Sequence, residues 1–134
     1  MNPAALAAFE RNLTTLAGIS QAHGIRLALV TVRTAYAPDQ PLETQQKLAK
    51  GDLMDHPHLT LAGHYAGYRE INRLIRAAAE KHGLLLLDQA AALPAGEEYF
   101  ADSVHFNDQG AALFAEFAAE RLAPAITERL AAGR

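Results

Sequence analysis

One phrase constrains this chain more than any other, and it occurs twice: a helical stretch, a His-Gly pair and an unbroken apolar run, at His23-Gly24-Ile25 and again at His82-Gly83-Leu84. In the first copy Asn2 is a natural N-cap, and Pro3 suits the first helical position, where a missing N–H costs nothing. Leu6, Phe9, Leu13 and Leu16 then repeat at helical spacing until His23-Gly24 supplies the stop. From Ile25 to Val32, Arg26 apart, the run is apolar and β-favouring, as expected of a strand covered on both faces. In the second copy Tyr68, Ile71, Leu74, Ile75 and Ala78 share one side of a helix over residues 65–82, and Leu84 to Leu87 forms the strand, with Asp88 at its carboxyl end. Two helix-strand units in succession predict parallel strands joined by right-handed crossovers.

Between and after these units the pattern is looser. Residues 33–63 are irregular, punctuated by Pro38, Pro41, Gly51 and Pro57, with a short helix expected from Leu42 to Lys50. Residues 89–101 form a loop, and Asn107 is the natural N-cap of a last helix with Phe114, Ala118 and Leu122 inward and Gln109, Glu116 and Glu120 toward water. Pro124 is expected to kink or break that helix. The fold class is therefore α/β, a single domain over residues 1–134 in the order α-β-α-β-α with two clear strands. Parallel sheets usually hold about 5 to 6 strands under helices on both faces, so this one reads as incomplete.

Composition removes several classes of function. A net charge of −3 with scattered basic residues argues against nucleic-acid binding, which rests on clustered Lys and Arg. Without cysteine there is no disulfide framework, thiolate metal site or cysteine nucleophile. No stretch approaches the ~18 apolar residues of a membrane span. The first residues, with Glu10 and Arg11 among them, do not read as a signal peptide, and the compartment is left open.

The chemistry concentrates at Asp102 and His105, three residues apart at the mouth of the last helix, a spacing at which both side chains can leave one turn on the same face. An Asp that accepts a bond from one imidazole nitrogen leaves the other free to take a proton, which is the base half of a hydrolytic triad. Sites in open α/β sheets lie beyond the carboxyl ends of the strands, where the loops 33–63 and 89–106 should converge. The plain alternative is a structural pair tying a loop to a helix start. Ser20 falls at the amino edge of the sheet, and Ser103 should point away from its neighbours, so neither serves as nucleophile. Asp55-His56-Pro57-His58 with His64 could ligate zinc as a small metal-binding module, but the spacing matches no closed site and no metal ligand is assigned. Asn72, Asp88, His23 and His82 read as structural: a polar helix position, a strand-end carboxylate and two helix-end imidazoles.

Asp102-Ser103-Val104-His105, followed by Phe106-Asn107-Asp108-Gln109-Gly110, resembles the last conserved block of the SGNH, or GDSL-type, hydrolases. The segment through Ile25 to Val32 resembles that family's fourth strand unit, Tyr68 to Asn72 the opening of its next helix, and Leu84 to Asp88 its following strand. The resemblance implies a three-layer, flavodoxin-like parallel sheet and hydrolysis of carboxylic esters by a Ser-His-Asp mechanism. His105 would be the general base and Asp102 its orienting carboxylate, with no metal or organic cofactor. It further implies a nucleophilic Ser in a Gly-Asp-Ser block, and oxyanion donors in a Gly block and a Gly-x-Asn-Asp block, none of which occurs here. The chain is thus expected to be a C-terminal portion that meets an ester substrate when complemented by an N-terminal segment. Under the same resemblance Tyr36, Leu53, Met54 and Leu59 border the acyl or alcohol pocket. An open strand edge over residues 25–32 predicts a homodimer or pairing with another segment. The rival expectation is a non-catalytic assembly module on the same scaffold.

Overall fold

The structure, a computed structural model, describes residues 2–133. Its elements run α1 (Pro3–Ala22), β1 (Ala28–Val30), α2 (Leu42–Leu48), α3 (Lys50–Asp55), α4 (Leu61–His82), β2 (Leu85–Leu87), α5 (Gln89–Ala92) and α6 (Asp108–Ala131). The chain is mixed α and β, mostly helical, around a two-stranded parallel sheet.

Local chemistry sets the helix ends. The Asn2 side chain accepts the Ala4 N–H at 2.9 Å, and Gly83 closes α4 in the left-handed conformation at φ 60°. A residue with a Cβ is disfavoured there. α4 begins four residues before its apolar period, because the Thr60 hydroxyl accepts the Gly63 N–H at 3.1 Å and caps a turn the periodicity does not show.

β1 and β2 pair in register, Ala28 with Leu85 and Val30 with Leu87. Leu27, Leu29, Leu84 and Leu86 pack with Leu13, Leu74, Ile75, Ala78 and Ala79, so α1 and α4 cover one side of the sheet. The expectation of a strand from Ile25 to Val32 covered on both faces is corrected on both counts. Pairing spans three residues, and Val30 is 37% exposed. Successive strand residues turn their N–H and C=O to opposite edges. Thr31 donates to the Leu87 carbonyl at 3.2 Å, so Ala28, Val30 and Val32 face the other edge. There the buried Asn72 takes both groups of Val32, its Oδ1 accepting the N–H at 2.7 Å and its Nδ2 donating to the C=O at 2.8 Å. A helix side chain thus stands in for a neighbouring strand at the carboxyl end of β1, and the edge at Ala28 and Val30 has no strand beside it among the described residues.

Asp88, just past β2, accepts two bonds from Arg76, Nε to Oδ2 at 2.7 Å and Nη2 to Oδ1 at 2.8 Å, and one from the buried Thr31 hydroxyl at 2.9 Å. The Arg76 hydrogen bonds hold this carboxyl below its ordinary range. A depressed folded-state value means the stabilisation is complete above the unfolded carboxylate value, ~3.9, and lost as pH falls through the folded value. Arg76 is 40% exposed, and screening leaves the pair roughly 1 kcal/mol at neutral pH. Urea midpoints for Arg76→Met should therefore lie below those of the parent at pH 7 and converge with them as pH falls through and below the ordinary carboxylate range. A gap that stays constant with pH would assign the loss to packing of the arginine stem.

Two further expectations change. Residues 89–101 contain the one-turn α5. α6 runs without interruption through Pro124, so of the kink or break expected there the break does not occur. Proline removes a single N–H, and the distal turns are held from outside: Arg26 bonds the Ala125 carbonyl at 3.3 Å and pairs with Glu128 at 2.9 Å, while Arg129 reaches the Gly24 carbonyl at 3.3 Å. No helix among the described residues is long and apolar enough to cross a membrane.

Candidate functional site

Asp102 and His105 meet, though not on a helix face. Residues 101–104 form a bend in which Asp102 Oδ1 accepts the backbone N–H groups of Val104 at 2.9 Å and His105 at 2.8 Å. The second carboxylate oxygen then lies 2.7 Å from His105 Nδ1. The short Asp side chain folds its own backbone into a turn, and that turn delivers the histidine to it.

Those two amides, and then the imidazole, hold the Asp102 carboxyl down at about 2, so it is ionised throughout the neutral range. A carboxylate facing Nδ1 favours the proton on that nitrogen and leaves Nε2 as the acceptor. The His105 side chain is 77% exposed, and its Nε2 has no hydrogen-bond partner among the described residues. Chemically this is an oriented base open to a reactant from solution.

The turn is built into a small platform. Phe100 and Phe106 form an antiparallel bridge with ring centroids 4.7 Å apart, closed by Ala101 N–H to the His105 carbonyl at 2.8 Å and Asn107 N–H to the Tyr99 carbonyl at 3.1 Å. Asn107 caps α6 as expected, accepting the Gly110 N–H at 3.0 Å, and its amide nitrogen donates to the Glu98 carbonyl at 2.9 Å.

Ser103 turns the opposite way. It is buried, its hydroxyl donates to Asp52 Oδ1 at 2.7 Å, and its carbonyl accepts the Ala35 N–H at 2.9 Å. Asp52, also buried, accepts on its other oxygen from Tyr36 at 2.5 Å and Tyr68 at 3.2 Å. Burial, reinforced by this carboxylate, pushes the Tyr68 phenol up to about 12 and raises Tyr36 as well. One carboxylate on α3 therefore ties the His105 turn to α4 and to the loop leaving β1. Asp52 escapes notice in the sequence, since an Asp inside a short helix in a polar loop carries no periodicity or motif that marks it as buried.

Ser20 is likewise buried, on α1, and neither serine hydroxyl bonds His105. His56 and His64 stand edge to face with ring centroids 5.7 Å apart, His58 does not join them, and no group of three His, Asp or Glu able to hold a metal ion occurs among the described residues. Of the residues expected to border a pocket, Leu59 lines a small groove on α4, Tyr36 is buried in the Asp52 cluster and Met54 is 69% exposed. Asn72 and Asp88 are structural, each with a long-range partner that the sequence did not reveal. Comparison with protein-family models, with curated proteins and with solved structures returns no match to this chain.

Proposed function

We propose that this chain supplies the base half of a Ser-His-Asp ester hydrolase of the SGNH lineage, on part of a three-layer, flavodoxin-like α/β domain, with the nucleophile and oxyanion donors coming from a complementary segment. The observation that carries the reading is the 2.7 Å contact between Asp102 and His105 Nδ1, with Nε2 left open to solvent. An incoming serine hydroxyl loses its proton to His105 Nε2 as it attacks the ester carbonyl. The same nitrogen returns that proton to the departing alkoxide, and a water molecule repeats the cycle on the acyl-enzyme. Asp102 fixes the tautomer and stabilises the imidazolium that forms at each step. No cofactor is invoked. The open edge at Ala28 and Val30 supports pairing with the complementary segment or with a second copy.

The test is an aryl acetate assay with fluorophosphonate labelling. The chain alone should neither turn over the ester nor take the label, and a version extended upstream through a strand ending in Gly-Asp-Ser should gain activity that His105→Ala abolishes. Robust turnover by the chain alone, lost in both Ser103→Ala and His105→Ala, would overturn the assignment of the nucleophile to another segment. An extended version whose activity is indifferent to His105→Ala would overturn the base assignment itself.

A further inference from the structure

The loop leaving β1 and the face of α4 beside it enclose a crevice of about 210 Å³ at the carboxyl end of β1. That is where open α/β sheets hold their ligands. Tyr65, Tyr68, Arg69 and Asn72 recur at helical spacing and so present one stripe of α4 to the crevice, while the loop contributes Arg33, Ala37 and Pro38. The neutral polar side chains in the lining are already spent. Tyr65 donates to Gln45 at 2.9 Å, Tyr36 and Tyr68 donate to Asp52, and Thr34 donates to the Tyr36 carbonyl at 2.7 Å. Asn72 is taken by both backbone groups of Val32. What remains open is aromatic and aliphatic surface and two guanidinium groups.

Neither guanidinium has a carboxylate within ion-pair distance among the described residues. Arg33 is half-buried. Its Nη1 donates to the Ala90 carbonyl at 3.2 Å and its Nε is enclosed, whereas Nη2 is neither bonded nor enclosed and is the donor that a ligand can reach. Burial holds this guanidinium below its ordinary value, against the pull of Asp39. A cation withdrawn from water without a counter-charge is costly, and an anion relieves that cost. Arg69 is exposed, and Glu70 next to it is occupied by Arg73 through Nε and Nη2. No Asp or Glu lines the crevice, and Asp39 acts on Arg33 and Tyr65 from beyond ion-pair distance. Two cations against one outlying acid suit a ligand with a single negative charge.

From the crevice and its two unpaired guanidinium groups, we propose that the carboxyl end of β1 binds a small organic carboxylate, its anionic end on Arg33 Nη2 and Arg69 and its apolar body against the rings of Tyr65 and Tyr68. The two oxygens of a carboxylate can accept from both arginines at once, and the tyrosine rings shield those bonds from water. The site includes neither Asp102 nor His105 and needs no nucleophile, so its fate is independent of the hydrolase reading.

Benzoate, benzamide and inorganic phosphate serve as probes, titrated at constant ionic strength into the whole labelled chain and followed by amide chemical shifts. For a ligand of nine heavy atoms, saturable binding with Kd on the order of 1 mM is expected for benzoate. The shifts should centre on Arg33, Thr34, Ala37 and Arg69. Benzamide has the same shape without the charge and should bind about tenfold more weakly. Phosphate has the charge without the apolar body and should bind about fivefold more weakly. Arg33→Met and Arg69→Met keep the stems and remove the charge, and each should weaken benzoate about fivefold or more. Arg69 is exposed, so its substitution keeps the test decisive if the Arg33 variant unfolds. Absence of saturable shifts, shifts centred elsewhere, equal affinity for benzoate and benzamide, preference for phosphate, or benzoate affinity unchanged in a folded substituted protein would each overturn the proposal.

Discussion

Gly110→Ala should be among the most damaging single-methyl additions in this chain, lowering stability by roughly 3 to 5 kcal/mol and the melting temperature by about 10 °C or more. A Cβ at this position would lie 2.0 Å from the Tyr99 carbonyl oxygen, 2.9 Å from the carbonyl carbon and 2.7 Å from Phe106 Cδ1. These are backbone and packed-ring atoms rather than the free end of a flexible side chain. Nor can Tyr99 retreat without consequence, because its carbonyl accepts the Asn107 N–H and so closes the platform beneath the His105 turn. The backbone of Gly110 is helical, so the requirement is for space and not for an unusual φ. Gly18 is the control. It sits inside α1 with nothing within 4 Å of where a methyl would stand, and Gly18→Ala should be neutral or stabilising by up to ~1 kcal/mol. Thermal unfolding of the two proteins decides the matter, and a Gly110→Ala melting curve within a few degrees of the parent would refute the close packing of α6 on Tyr99.

The contrast between these glycines shows what local sequence carries. Caps at Asn2 and Asn107 and the left-handed stop at Gly83 were legible because each is settled within a few residues by hydrogen bonding or φ. The Asp102–His105 contact was legible for the same reason, although the element that makes it is a turn rather than a helix. What the sequence concealed depends on partners far along the chain. Asp52 is buried through hydroxyls 16 and 51 residues away, and the distal turns of α6 are held by Arg26 across 99 residues. An apolar run such as Ile25 to Val32 states that a strand is possible, whereas its paired length depends on what lies alongside. Here β2 pairs with three residues, and the residue past them on the other edge is taken by a helix side chain.

That side chain gives the second large effect. Asn72→Ala should lower stability by roughly 2 to 4 kcal/mol, since it strips partners from both backbone groups of Val32 and leaves a cavity at a position only 6% exposed. Asn72→Asp separates the two bonds: a carboxylate still accepts the Val32 N–H but has no proton for the Val32 carbonyl, and it is also a buried charge. Both substitutions should fall below the parent in urea unfolding, and in the alanine protein the Val32 amide should lose its protection from hydrogen exchange. The alanine protein should also self-associate more readily. Asn72 now ends the open edge, and its removal adds Val32 to Ala28 and Val30 as groups seeking a strand. Sedimentation at matched concentrations should therefore show more dimer in Asn72→Ala than in the parent. A parent and variant that are equally monomeric would mean that the β1 edge is not a pairing surface, and the partner expected along residues 25–32 would have to be sought elsewhere on the chain.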